Sequence, residues 1–143
     1  MDIRYLTESY AVSPQISSQD IAVLKDEGFT TIIDNRPDAE IPAELHGAAM
    51  KVAVEAAGLG FIINPVISGQ ITEANVDSQR KAIDAAATKG GKVFAYCASG
   101  NRSSVIWALA NAGRESADVL IATPARYGYQ LEWLRPTLES QGR

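Results

Sequence analysis

The feature that most constrains the fold of this chain is its rhythm. Short apolar, β-branched runs alternate with stretches of helical spacing from residue 18 onward. Consecutive strands separated by a helix cannot pair as hairpins. The crossover lays them parallel, with the helices on the sheet faces. The rhythm therefore predicts an α/β fold, a small, mainly parallel sheet flanked by helices. At 143 residues the chain has room for one core, so residues 1–143 are expected to form a single domain.

Ile3–Leu6 and Tyr10–Val12 read as short strands joined by a tight turn. A helix begins near Ser17 or Ser18, with Asp20 in its first turn and Gly28 behind it. Phe29–Ile33, Phe61–Ile63 and Lys92–Tyr96 read as buried strands. Helices are expected over Ile41–Ala57 with Pro42 at its first position, and over Glu73–Thr88 capped by Thr72. Others are expected over Arg102–Ala112, over Ala117–Tyr127 capped by Ser116 and strained by Pro124, and over Leu131–Glu139. In such folds ligands bind beyond the carboxyl ends of the strands. Two polar segments should meet there, Asp34–Asp38 and Cys97–Ser103.

Composition removes several function classes. Hydrophobic residues make up 46% and charged residues 21%, a globular balance. The net charge of −4, with no basic cluster, argues against nucleic-acid binding. One cysteine makes no internal disulfide, and with one histidine it makes no Cys/His zinc site; a metal held by carboxylates alone has no motif behind it, and neither a metal nor a cofactor is expected. No apolar stretch approaches roughly 18 residues and no signal peptide is visible, so the expected location is cytoplasmic, with no membrane partner.

The stretch that carries chemistry is Tyr96-Cys97-Ala98-Ser99-Gly100-Asn101-Arg102-Ser103-Ser104. It reads as a strand end, a small-residue loop and a helix N-terminus. Inward backbone N–H groups and the positive end of a helix form an anion nest. Ala98, Ser99, Gly100 and Asn101 supply it, and Arg102 adds a planar fork of donors. Cys97 lies at its floor, where the field that holds an anion also stabilises a thiolate. Ser103 is placed to hydrogen-bond the sulfur as it becomes a leaving group. An inert buried Cys that merely ends a strand is the bland alternative.

Cys97-Ala98-Ser99-Gly100-Asn101-Arg102-Ser103 resembles the active-site loop shared, with variations, by cysteine phosphatases and rhodaneses. The wider frame resembles a dual-specificity phosphatase. Gly28–Arg36 is similar to the strand that ends in Asn-Leu-Arg there, and Phe61–Pro65 to the strand leading into its acid loop. Ser13-Pro14-Gln15, Asn35-Arg36-Pro37-Asp38 with Glu40, and Tyr96–Ser103 together resemble the beta-lactamase-hydrolase-like protein family, phosphatase-like domain. The resemblance implies a phosphatase-like hydrolase acting on an anionic phosphate ester. Members of that family can be joined to a metallo-hydrolase domain, so a metallo-hydrolase partner in trans is the matching expectation.

Three features depart from a working tyrosine phosphatase. Only Ala98 to Asn101 lie between Cys97 and Arg102, one residue fewer than in such phosphatases and the spacing of rhodaneses. Tyr96 stands where those enzymes place His. The stretch Asn64–Gln70 holds no carboxylate to protonate a leaving oxygen. Glu73 and Asp77 lie just beyond it, and Asp34, Asp38 or Glu40 can reach in from the other loop, as acids or as positioning groups. A rhodanese-like sulfurtransferase needs no such acid: Cys97 takes a sulfane sulfur from an anionic donor and becomes a persulfide. The order of readings is phosphatase-like hydrolase, then sulfurtransferase, then a non-catalytic module that binds an anion or a protein.

Arg36 reads either as a substrate-binding and loop-bracing residue or as half of a local ion pair. Asn35 is expected to satisfy loop backbone groups. His46 reads as a surface or capping residue and Trp107 as core. Tyr127, Tyr129 and Trp133 read as packing of the last helices rather than as pocket lining.

Overall fold

The computed structural model describes residues 1–141. Five strands form one sheet: β1 (Arg4–Thr7), β2 (Tyr10–Ser13), β3 (Phe29–Asp34), β4 (Gly60–Ile63) and β5 (Lys92–Tyr96). Their order is β1-β2-β5-β3-β4. Only β1 and β2 pair antiparallel, as a two-residue turn allows; β2, β5, β3 and β4 run parallel. The fold is α/β, a mostly parallel sheet with helices on both faces.

The period-two alternation of each strand sorts its side chains. Tyr10, Val12, Ile33, Val93 and Ala95 join one core with Val105, Trp107, Leu120 and Leu131. That face is covered by α3 (Glu73–Thr88), α4 (Asn101–Ala110), α5 (Ala117–Ala125) and α6 (Arg135–Gln141). Ala11, Ile32, Phe94 and Tyr96 point the other way. They meet Leu24 of α1 (Ile21–Asp26) and Met50 and Val54 of α2 (Gly47–Ala56).

Three expected helices are corrected. The run 41–57 does not start at Pro42. Pro42 and His46 are both extended, a 3-10 turn spans Ala43–Leu45, and α2 begins at Gly47. The reason lies outside the run: the Asp38 carboxylate accepts the Gly47 N–H at 2.8 Å and so caps the helix from the preceding loop. The run 117–127 ends at Ala125, one residue past Pro124. The run 131–139 divides into a 3-10 turn, Glu132–Leu134, and α6, which holds Pro136 in its first turn, where a missing N–H costs nothing. The α3 helix stands as expected, with the Thr72 hydroxyl accepting the Asn75 N–H at 3.1 Å.

Candidate active site

β5 and β3 are register partners at Tyr96 and Asp34, so both polar segments leave the same sheet edge side by side. Cys97 follows β5 and is buried. The loop behind it turns at Gly100, whose φ of 98° is open to glycine and strained for other residues. That turn lets the Gly100 N–H point back at the Cys97 sulfur, 3.1 Å away. The backbone N–H groups of Ala98, Ser99, Arg102 and Ser103 donate to no protein acceptor among the described residues. The Asn101 N–H is engaged by the Ser99 hydroxyl at 3.2 Å. The loop therefore leaves four backbone donors without a protein partner, in the stretch between Cys97 and the positive end of α4.

Arg102 is held by its far edge. Its Nη1 donates to Glu40 Oε2 and to the Val66 carbonyl, both at 2.8 Å, and its Nη2 donates to Glu40 Oε1 at 2.7 Å. Nε–H and the second Nη2–H donate to no oxygen or nitrogen among the described residues, and the Cys97 sulfur is close by. These two donors form the side-on edge of the guanidinium, a ready fork for an oxyanion. Arg102 exposes 11% of its side chain, and Glu40 first, then the nearby Cys97 sulfur, favour its charged form.

Arg36 reaches Glu40 Oε1 through Nε at 3.2 Å and Gln15 through Nη1 at 3.4 Å. Its contacts are those of a brace on Glu40. Glu40 thus sits between two guanidinium groups, and Arg102, ahead of Arg36, holds its carboxyl below the usual range. A carboxylate kept ionised in this way is a poor proton donor.

The other carboxylates are placed elsewhere. Asp34 is 1% exposed. Burial pushes its carboxyl up to about 6, against the pull of the Arg36 N–H, which donates to Oδ1 at 2.8 Å. Its Oδ2 and the Tyr96 hydroxyl are buried neighbours, and neither makes a hydrogen bond of good geometry. Asp38 is spent on capping α2. Glu73 lies in the first turn of α3 and lines an open cleft with Val76, Arg80, Leu109 and Thr137, away from the sulfur loop.

Ser103 differs from its expected placement. Its hydroxyl donates to Asn35 Oδ1 at 2.9 Å and so belongs to a buried amide network. Gln79, fully buried on α3, is the hub. Its Oε1 accepts from Asn35 Nδ2 at 3.0 Å and Asn64 Nδ2 at 2.8 Å. Its Nε2 donates to Asn35 Oδ1 at 3.1 Å and the Tyr10 hydroxyl at 3.0 Å. The network ties the ends of β3 and β4 to the first turn of α4. Sequence reasoning misses Gln79 because a Gln in an amphipathic helix looks like a surface residue. Only its place on the core-facing stripe, between Val76 and Ile83, signals otherwise.

Tyr129 does more than the packing expected of it. Its hydroxyl donates to the Ser99 carbonyl at 2.7 Å and accepts from Arg4 Nη1 at 2.6 Å. His46 is at the N-terminal boundary of α2, its ring Nε2 3.0 Å from the Ile41 carbonyl. Among the described residues no cluster of three or more His, Cys, Asp or Glu is placed to hold a metal ion, and no helix is long and apolar enough to cross a membrane.

Residues 2–114 match the family described as beta-lactamase hydrolase-like protein, phosphatase-like domain. The chain belongs to that family. A beta-lactamase hydrolase-like protein of Xylella fastidiosa (strain Temecula1 / ATCC 700964) is 33% identical over 141 residues, which is 94% of this chain and 32% of the relative. This phosphatase-like chain thus spans about a third of the length of the curated relatives it matches. Among solved structures, a candidate phosphatase from Neisseria meningitidis Z2491 is 33% identical, with 99% of each chain covered and a TM-score of 0.81. Tk-PTP in its active form shares the fold at 15% identity, with 98% of this chain and 95% of that one covered and a TM-score of 0.75.

Proposed function

We propose that this phosphatase-type domain is a cysteine-dependent phosphomonoester hydrolase. The observation that carries the reading is the Arg102 guanidinium. Glu40 and Val66 take its far edge, and its side-on fork is left open beside a sulfur that already accepts the Gly100 N–H. Phosphate oxygens bind the fork and the unclaimed amides of Ala98, Ser99, Arg102 and Ser103. The Cys97 thiolate attacks phosphorus, an S–P bond forms and the P–O ester bond breaks. Water then hydrolyses the phosphocysteine, releasing inorganic phosphate and the thiolate. The amides and the fork stabilise the charge on the equatorial oxygens.

Among the described residues no carboxyl group near the sulfur is suited to protonate the departing oxygen. Glu40 is held ionised, Asp34 is buried and Asp38 is engaged. The alcohol oxygen leaves as the anion and takes its proton from water. Stable phenoxide leaving groups, and therefore aryl phosphates, are the favoured substrates.

One observation favours a second reading: the four-residue interval between Cys97 and Arg102. In it, the thiolate attacks a sulfane sulfur of an anionic donor, the donor S–S bond breaks, and Cys97 carries a persulfide to a thiophilic acceptor. One paired assay separates the two. Aryl phosphate hydrolysis lost in Cys97→Ser, with no thiosulfate-to-cyanide transfer and no added sulfur in the intact mass, supports the phosphatase. Sulfur transfer with a reductant-labile mass increase on Cys97, and no hydrolysis, supports the sulfurtransferase and overturns the first reading.

A further inference from the structure

We infer that Tyr129 is a positioning residue that sets the orientation of the peptide unit facing the Cys97 sulfur. The inference rests on the reading that Cys97 works as a thiolate.

One peptide plane links the two residues. The carbonyl of Ser99 and the N–H of Gly100 belong to the same peptide unit. In a trans peptide these two groups point in opposite directions. At one end the Ser99 carbonyl accepts the Tyr129 hydroxyl at 2.7 Å; at the other the Gly100 N–H donates to Cys97 Sγ at 3.1 Å. Fixing the outer end fixes the inner one. Were the plane to rotate by half a turn, the carbonyl oxygen would face the sulfur, and a thiolate beneath it would be repelled.

The fit on the outer side is tight. A Cβ on Gly100 would lie 2.2 Å from the Tyr129 hydroxyl, so the phenol occupies the space that a side chain would need. Tyr129 is 6% exposed and is itself anchored. Arg4 on β1 donates to its hydroxyl at 2.6 Å, and the guanidinium carbon sits 5.5 Å from the ring centre. With Arg4 supplying that bond, the phenolic proton is directed at Ser99. Burial pushes the phenol up, so it remains a donor across the neutral range. The titratable groups close enough to interact with the charge of the sulfur are Tyr10 from β2, Arg102 from α4 and Tyr129 itself. Asp2 stands behind Arg4 as its ion partner.

A packing role alone does not account for this arrangement. Phe would fill the same space, while the hydroxyl makes two hydrogen bonds and one of them ends on the loop. The test is therefore Tyr129→Phe, read by iodoacetamide alkylation of Cys97, the only cysteine in the chain, across pH. The expected result is a profile displaced upward by about half to one pH unit, with the rate at pH 6 reduced about three- to tenfold. An unmoved profile overturns the proposal, whether or not the variant melts earlier. In the native protein the Gly100 amide is expected to exchange slowly with deuterium; exchange at the rate of an open loop also overturns it and needs no variant. Alkylation uses no phosphate ester, so the result stands apart from whether the native protein hydrolyses one.

Discussion

Glu40 grips the Arg102 guanidinium with both carboxylate oxygens, at 2.7 and 2.8 Å, through Nη1 and Nη2, and leaves Nε–H outside the pair. The pairing orients the fork without occupying it. Glu40→Gln keeps the shape and one acceptor but loses the charge and one charge-assisted bond. The variant is expected to lose roughly tenfold in kcat/KM toward an aryl phosphate, a barrier change of about 1.4 kcal/mol. Arg102→Lys loses the fork itself and should lose about a hundredfold or more. Steady-state kinetics on both variants checks the order; equal losses, or none, would refute the division of roles.

Asp34 gives the fold a pH signature. Its carboxyl is raised to about 6 in the folded chain, above the 3.8 of a free Asp. Between those values the folded state holds a proton that the unfolded state has released. Stability therefore falls as pH rises from about 4 to 6, then levels off. Asp34→Asn removes this slope, keeps the acceptor for the Arg36 N–H, and offers Tyr96 a donor. It is expected to stabilise the protein at pH 8 by up to about 3 kcal/mol, the cost of ionising so displaced a carboxyl in the folded chain. Urea unfolding of both proteins at pH 4, 6 and 8 measures it.

Glu40 acts with the opposite sign. Its folded carboxyl is lowered, chiefly by Arg102. Its contribution is present above the ordinary Glu value and disappears as pH falls through the folded one. Arg102 should accordingly stay clamped at pH 5 and come loose in stronger acid. A pH–activity curve that steepens only in acid below the ordinary Glu range in the native protein, but not in Glu40→Gln, is the expected outcome.

Gln79 closes a buried network, so removing it strands several groups at once. Gln79→Leu leaves Asn35 Nδ2 without one partner and the Tyr10 hydroxyl without its donor. The expected cost is about 3 kcal/mol, seen as a lower urea midpoint with an unchanged slope. Cys97 alkylation should also become slower, because Ser103 and the first turn of α4 lose their anchor through Asn35.

Leaving-group dependence tests the absence of a proton donor. Rates across a series of aryl phosphates should fall steeply as the phenol becomes less acidic, and alkyl phosphates should be nearly inert. A flat series would show that a protein acid does reach the leaving oxygen.

Much of this is legible in the chain. The strands announce themselves because buried parallel strands need continuous β-branched and apolar runs, as in Phe29–Ile33. Cys97 and Arg102 are legible because a small-residue loop opening a helix has few other uses. What stays hidden depends on distance in the sequence. Glu40 meets Arg102 across 62 residues, and Tyr129 meets Ser99 across 30. No spacing rule links such pairs. The start of α2 escapes for a related reason: its cap comes from Asp38, nine residues before Gly47.

The hydrogen bond from Tyr129 to the loop also bears on where this unit can be cut. The family match ends at residue 114, beyond every residue that touches the proposed substrate. A fragment trimmed there would keep Cys97, the amides, Arg102 and Glu40, and would still lack the phenol that turns one of those amides inward. The segment that follows residue 114 is thus a working part of the site's scaffolding. Grafts, truncations or swaps between relatives should carry residue 129 along with the loop it steadies.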